Sequence, residues 1–216
     1  MSAEVFDRIA PSWYNYRHYT IFRPELEELA KRWQKGRLVN LGCGHGADFL
    51  PFTKQDFELY GVDYSKEMLR LAEQYARKFN FDVSLILADV NCLPFRDSTF
   101  DYAISVAMYH HLQTKESRRR AFEELHRILK PGGEAFITVW NKYQPRFFFS
   151  PKEAQVPWRL KGETLYRYYY LFTYGEIERM AREAGFTVLK SSPEKRCRFP
   201  VKYFSRNIVL LVKKPG

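Results

Sequence analysis

One feature constrains this chain more than any other: a short apolar run, Leu38-Val39-Asn40-Leu41, passes straight into Gly42-Cys43-Gly44-His45-Gly46 and then into a helical pattern from Ala47. Glycine tolerates dihedrals closed to residues with a Cβ, and it lets the backbone come within van der Waals distance of a ligand. About twenty positions on, a second apolar run ends at Gly61-Val62-Asp63. Strand, glycine turn, helix and strand-end acid form the layout of a nucleotide-binding β-α-β unit, with the acid placed to accept hydrogen bonds from ribose hydroxyls. The implied ligand contains adenosine.

At 216 residues, 45% of them hydrophobic, the chain suffices for one α/β domain with a full core and is too short for two large ones, so residues 1–216 are expected to form one domain. Lys and Arg outnumber Asp and Glu by 35 to 25, and the net charge of +10 favours polyanionic partners, nucleic acid being the usual one. Cys43, Cys92 and Cys197 are far apart and lack C-x-x-C spacing, which argues against a zinc site or a disulfide scaffold and fits a reducing cytosol. No metal site is expected. Residues Met1 to Arg8 lack a secretory pattern, and no apolar run approaches the roughly 20 residues of a membrane span. A cytoplasmic protein without membrane contact is the expectation.

Strands and helices alternate. Leu26, Leu29, Ala30 and Trp33 recur at helical spacing before a strand at about 37–41, and a helix is expected after the glycine turn, to about Phe52. A strand at about 57–62 leads to a helix that Ser65 caps, with Met68, Leu69, Leu71, Ala72, Tyr75 and Ala76 on one face. Strands follow at 83–87 and about 101–106, apolar enough for a sheet covered on both faces. Thr114 caps a helix carrying Ala121, Phe122, Leu125, Ile128 and Leu129, and Pro131-Gly132-Gly133 ends it before a strand at about 134–140. Residues 142–172 break the alternation; a helix at about 173–184 and strands at about 186–191 and 206–213 complete it.

Gly42-x-Gly44-x-x-Ala47 also satisfies the dinucleotide-binding pattern of dehydrogenases, with Asp63 as the ribose acid. Three features oppose that reading: the third glycine, Gly46; a helix ahead of the first strand; and no second domain to hold a hydride acceptor. Adenosylmethionine needs no diphosphate cradle, and a wider glycine loop suits its amino-acid tail and sulfonium.

Five segments resemble, in order and spacing, the motifs of class I S-adenosylmethionine-dependent methyltransferases: Asn40-x-Gly42-x-Gly44-x-Gly46, Gly61-Val62-Asp63-Tyr64-Ser65, Ala88-Asp89-Val90, Phe100-Asp101-Tyr102-Ala103-Ile104 and Leu129-Lys130-Pro131-Gly132-Gly133. The resemblance covers about residues 37–140. It implies a Rossmann-like α/β fold: a seven-stranded, mostly parallel sheet in the order 3-2-1-4-5-7-6, helices on both faces and an antiparallel last strand. It implies cofactor binding by Asn40, Gly42, Gly44, Gly46, Asp63, Tyr64, Asp89, Val90 and Val106, with Asp89 accepting from the adenine amine and the Val90 amide donating to the ring. Asn40 departs from the pattern, which has Asp or Glu there, so its support for the cofactor's ammonium or the glycine loop would be a neutral hydrogen bond.

Further segments, Val5-Phe6-Asp7-x-Ile9-Ala10-Pro11, Tyr16-Arg17-His18, Met108-Tyr109-His110-His111-Leu112, Arg118-Arg119, Val139-Trp140 and Arg167-Tyr168-Tyr169-Tyr170-Leu171-Phe172-x-x-Gly175-Glu176, resemble the tRNA methyltransferases that esterify 5-carboxymethyluridine at the wobble position. That family implies an amino-terminal segment, about 1–35, folding over the cofactor, and a small zinc-binding activator protein pairing with the edge strand at 83–87 as a heterodimer. A carboxylate ionised above a pKa of about 4 needs no general base, so positioning should supply most of the catalysis. Arg17, His110 and His111 are the candidate catalytic partners for it. Tyr14 and Tyr16 could shield the cofactor. The insertion at 142–172 interleaves rings with cations, a composition suited to unstacked bases and phosphates. Arg146, Arg159, Arg167 and Tyr168, with Lys195, Arg196 and Arg198 of a basic tract whose one acid is Glu194, are the candidate tRNA contacts. A small-molecule methyltransferase acting on a quinone precursor or carboxylic acid, and a catalytically silent cofactor-binding subunit, are the alternatives.

Overall fold

The computed structural model describes residues 3–198 and 201–216; Met1 and Ser2 of the amino-terminal segment, and Phe199 and Pro200 in the basic tract, lie outside the described residues. Two helices, α1 (Ala3–Tyr16) and α2 (Arg23–Trp33), precede β1 (Lys35–Leu41), β2 (Asp56–Asp63), α3 (Lys66–Phe79), β3 (Ser84–Leu87) and β4 (Phe100–Val106). Then come α4 (Lys115–Ile128), β5 (Leu129–Trp140), β6 (Glu153–Leu160), β7 (Glu163–Tyr170), α5 (Tyr174–Glu183), β8 (Thr187–Pro193) and β9 (Asn207–Lys213). Among the described residues, no helix is long and apolar enough to cross a membrane.

The main sheet has seven strands in the order β3-β2-β1-β4-β5-β9-β8. Strands β1 to β5 pair in parallel, and β9 runs antiparallel to both β5 and β8. With the β6–β7 pair set apart, this is the expected 3-2-1-4-5-7-6 arrangement. Its central strands are apolar because both faces are covered. On one side Leu26, Leu29 and Trp33 of α2 pack with Leu38, Leu59 and Ile104; on the other, Phe122 and Leu125 of α4 and Ile177 of α5 pack with Val39, Ala103 and Ile137.

The helix starts follow local chemistry. Ser65 accepts the Met68 amide at 3.1 Å, and Thr114 accepts that of Ser117 at 3.0 Å, each satisfying an orphan donor of a first turn.

Three expectations need correction. Residues Ala47–Phe52 form a 3-10 helix, not an α-helix; Pro51 within it has no amide to extend an i−4 ladder. Strand β5 begins at Leu129, because Pro131-Gly132-Gly133 is absorbed into an irregular strand start rather than separating helix from strand. Residues 142–172, expected only to break the alternation, hold regular structure: β6 and β7 form a separate antiparallel hairpin, turning at Gly162 with φ +89. Consecutive rings hid its period-2 pattern. The hairpin leans on α1, where Trp158 donates to the Ser12 hydroxyl at 2.7 Å and Arg8 pairs with Glu163.

Candidate active site

A cavity of about 250 Å³ opens at the carboxyl ends of β1, β2 and β4. Its floor is the glycine turn. Gly42 (φ +73) passes so close to Met108 that a Cβ would collide with that side chain, and Gly44 (φ +53) faces open space on the cavity wall. Asp63, at the end of β2, holds the turn: its carboxylate accepts the Gly44 amide at 2.8 Å and the Ser65 amide at 3.0 Å. Burial pushes its carboxyl up to about 6, against the pull of the backbone donors.

Helix α1 closes one side. Asp7 locks it down by accepting the Ser65 hydroxyl at 2.6 Å and the Glu67 amide at 3.1 Å, so α1 supplies a second acceptor at the start of α3. Phe6, Trp13 and Arg17 thereby reach the cavity. Tyr14 and Tyr16 do not line it: Tyr14 packs on His45 and Tyr75, and Tyr16 is exposed on the outer side.

At one end stand Arg17, Thr20 and Asp48; at the other Asp89, Val90, Leu112 and Gln113. Burial raises Asp48 to about 6, and the Thr20 hydroxyl and the Arg17 charge lower it. Asp89 spends Oδ1 on the amide and side chain of Asn91, at 2.8 and 2.9 Å, and still faces the cavity. Tyr64 and Val106 also line it. Three carboxylates, Asp48, Asp63 and Asp89, line the cavity and suit a ligand carrying a sulfonium, an ammonium and a ribose. A diphosphate would meet repulsion, a glycine turn whose Gly44 amide is already spent, and a 3-10 segment in place of an α-helix N-terminus. The residues therefore fit S-adenosylmethionine: Asp63 would hold the ribose, Asp89 and Val90 the adenine, Asp48 with Thr20 the ammonium.

The two histidines divide. His111 lines the cavity, and its Nδ1 donates to the Tyr168 carbonyl at 2.9 Å, so Nε2 is left as an acceptor in the neutral ring. His110 is buried behind it, stacked on Tyr169 at 4.7 Å; its Nδ1 accepts the Trp140 amide at 3.3 Å, and Nε2 has no partner. Burial drops His111 to about 3 and His110 well below its ordinary value, with His111, Arg167 and Arg17 adding to the latter. Both rings are neutral at physiological pH, so neither is a cationic partner for a carboxylate.

The cations lie elsewhere. Arg167, only 6% exposed, sits among Trp13, Trp158 and Tyr169 with Nε unpartnered, and desolvation lowers its pKa. Arg17, Arg146 and Arg206 join it around Tyr169, whose hydroxyl feels all four. Among the described residues, none of the four pairs with a carboxylate.

Other candidates stand apart. Asn40 is fully buried in β1 with neither amide atom hydrogen-bonded, so the expected bond to the glycine turn is absent. Gly46 packs against Ala72 and does not line the cavity. Arg159 lies near the hairpin tip, opposite Thr164, while Tyr169 pairs with Ala154 at the other end. Tyr168 turns its hydroxyl to the Gln113 carbonyl at 3.1 Å, bracing the cavity wall. Lys195 pairs with Glu28 and its amide with Glu25, so α2 supplies acids that the tract itself lacks; Arg196 and Arg198 are exposed. Asp48, Thr20 and Trp13 reach the cavity without a motif to announce them, and Phe6 does so from the Val5–Pro11 segment.

A cavity over the β1 glycine turn, an acid closing β2 and a sheet with one antiparallel strand define a class I S-adenosylmethionine-dependent methyltransferase. Known proteins agree. The family model described as "Methyltransferase domain" matches residues 39–137. A protein of Encephalitozoon cuniculi named as a methyltransferase is 31% identical over 192 residues, 86% of this chain and 85% of the relative. The tRNA (carboxymethyluridine(34)-5-O)-methyltransferase of Schizosaccharomyces pombe is 27% identical over 215 residues, 87% of this chain and 89% of the relative. A methyltransferase solved in complex with the Haloferax volcanii Trm112 methyltransferase activator shares the fold, at a TM-score of 0.66, 20% identity and 98% coverage of both chains. The chain spans about a third or less of the length of its animal and plant tRNA methyltransferase relatives. The chain belongs to the S-adenosylmethionine-dependent methyltransferases, with tRNA methyltransferases among its relatives.

Proposed function

We propose that this enzyme methylates tRNA at a carboxylate oxygen of 5-carboxymethyluridine in the wobble position. The observation that carries the reading is the cluster of Arg17, Arg146, Arg167 and Arg206 around Tyr169, none of which forms an ion pair among the described residues. Arg17 and Arg167 are desolvated and Asp48 offsets Arg17 only in part, so the buried positive charge is costly unless a further anion visits. An acceptor carboxylate with the phosphates of its strand supplies such charges; a neutral quinone precursor does not.

When bound, S-adenosylmethionine supplies an electrophilic methyl on its sulfonium. The acceptor oxygen forms the new O–C bond, the C–S electron pair stays on sulfur, and no proton moves. The chain's task is to hold the oxygen in line and exclude water. Arg17, on the cavity wall, grips the carboxylate, and His110, packed behind His111, holds that ring against the cavity. Phe6, Trp13 and α1 keep water out. The intact cavity speaks against a silent subunit.

A small zinc-binding activator would pair with β3, which has β2 as its neighbour on one side and leaves Leu87 exposed at the sheet edge. The S. pombe relative's activity and the Trm112 complex support this part of the reading.

The test is to incubate the chain, with and without such an activator, with methyl-labelled S-adenosylmethionine and either total tRNA or a small-molecule extract. Base-labile label in tRNA is expected. Label confined to small molecules refutes the tRNA assignment, and base-stable label in tRNA refutes the ester.

A further inference from the structure

Outside the cavity, one face carries flat rings that nothing covers. Phe149 is 97% exposed, and Tyr143, Phe148, Tyr203 and Phe204 are also exposed. They come from two segments that pack together: the Asn141 amide donates to the carbonyls of Tyr203 and Ser205 at 2.6 and 2.8 Å, and Phe148 lies 6.0 Å from Phe204. Residues 141–152 and 201–206 contain no Asp or Glu. Of their cations, Lys152 pairs with Glu176 at 3.0 Å, and Glu194 accepts the Arg206 amide, while the side chains of Lys142, Arg146, Lys202 and Arg206 form no ion pair among the described residues.

The rings lead inward. Phe147, beside Phe148, lies 5.7 Å from Trp140, Trp140 lies 4.2 Å from Tyr169, and Tyr169 lies 4.5 Å from His111 on the cavity wall. The exposed face is thus continuous with the place where the acceptor oxygen must sit.

We infer that this face is a stacking platform for unpaired nucleotides of an RNA loop, with Lys142, Arg146, Lys202 and Arg206 on the flanking phosphates. The inference rests on the tRNA reading and deepens it. A base drawn into the cavity leaves the loop bases beside it with uncovered faces, and aromatic rings restore that stacking without regard to sequence. The cations, free of acids, match a run of phosphates better than the mixed charge of a protein surface. Among the exposed apolar groups of these segments, the lone aliphatic side chain is Val201; a membrane anchor would draw on aliphatic bulk.

The experiment measures anisotropy of a labelled hairpin RNA with a seven-nucleotide unpaired loop against the same stem closed as a blunt duplex. Phe149→Ala and the double variant Phe148→Ala/Phe204→Ala in the full chain are used, with S-adenosylhomocysteine affinity as the check on folding. The expected result is about tenfold weaker binding of the loop RNA with duplex binding unchanged. Equal loss on both RNAs, or no loss on either, overturns the platform. So does loss of binding to phosphatidylserine vesicles with loop binding intact. A wild-type chain that leaves tRNA unmethylated while Phe149→Ala selectively weakens loop binding refutes the acceptor assignment and not the platform. A chain that methylates tRNA while Phe149→Ala binds loops normally refutes the platform alone.

Discussion

Trp140 donates its backbone amide to Nδ1 of His110 at 3.3 Å, and that contact decides which nitrogen of the ring carries its proton. With Nδ1 accepting, the ring proton sits on Nε2, which has no partner in the fold. His111, one residue on, has the opposite tautomer because Nδ1 faces the Tyr168 carbonyl. One ring is a buried donor and its neighbour an acceptor.

His110→Ala removes the ring packed behind His111 and should lower kcat/KM for the tRNA acceptor by about tenfold through lost positioning of the cavity wall. Cofactor affinity should stay unchanged. With cofactor saturating, kcat should show no limb near pH 6.5, because His111 titrates at about 3 and His110 well below its ordinary value. A limb there, abolished by either substitution, would contradict the neutral assignment.

Asp63→Ala should weaken S-adenosylhomocysteine binding by roughly 1–3 kcal/mol through lost ribose hydrogen bonds. The Gly44 amide also loses its acceptor, so the melting temperature should fall. Calorimetric titration giving wild-type affinity would remove Asp63 from the cofactor site.

Burial raises Asp48 and Asp63 each to about 6 from an ordinary value of 3.8. Below about pH 6 they hold protons that a cationic ligand must displace, so S-adenosylmethionine affinity should rise with pH through 6 and then level. Proton release on binding at pH 5.5, read by titration in buffers of different ionisation enthalpy, should shrink in Asp48→Asn. For the empty protein the sign is reversed: burying these carboxylates ionised costs stability, and the cost grows as pH rises from 4 to 6.

Arg17→Ala should cut turnover with S-adenosylmethionine affinity nearly intact if its guanidinium grips the acceptor carboxylate. A large rise in cofactor Kd would place Arg17 at the cofactor's own carboxylate instead, opposite Asp48.

Asp7→Ala removes an acceptor from the first turn of α3, worth about 0.5–2 kcal/mol, and with it the tie that holds α1 over the cavity. Hydrogen exchange in α1 should accelerate while β1 and β4 remain protected. Unchanged exchange in α1 would mean that its docking is set by Ile9 and Ala10 packing rather than by this polar contact.

Much of this was legible beforehand because it is local. Gly42 and Gly44 announce a turn of positive φ, Ser65 and Thr114 announce helix starts, and apolar runs announce buried strands; each needs only its own neighbours. The 3-10 form of Ala47–Phe52 was less legible, since one proline sits inside an otherwise helical apolar pattern. The β6–β7 hairpin was hidden because rings on successive positions mask the alternation that marks a strand.

The amino-acid sequence by itself determined the central strands, the glycine turn and the acid that ends β2, because strand period, turn dihedrals and caps are written in short spans; the order of the strands followed from the family resemblance. Tertiary structure alone decided the rest. It left Asn40 buried without a partner and placed Asp48 on the cavity wall. It also gave His110 and His111 opposite tautomers and gathered Arg17, Arg146, Arg167 and Arg206 around Tyr169. Those relations join residues from α1, the insertion and the approach to β9, and a charge or proton at such a junction depends on burial and on partners distant in the chain.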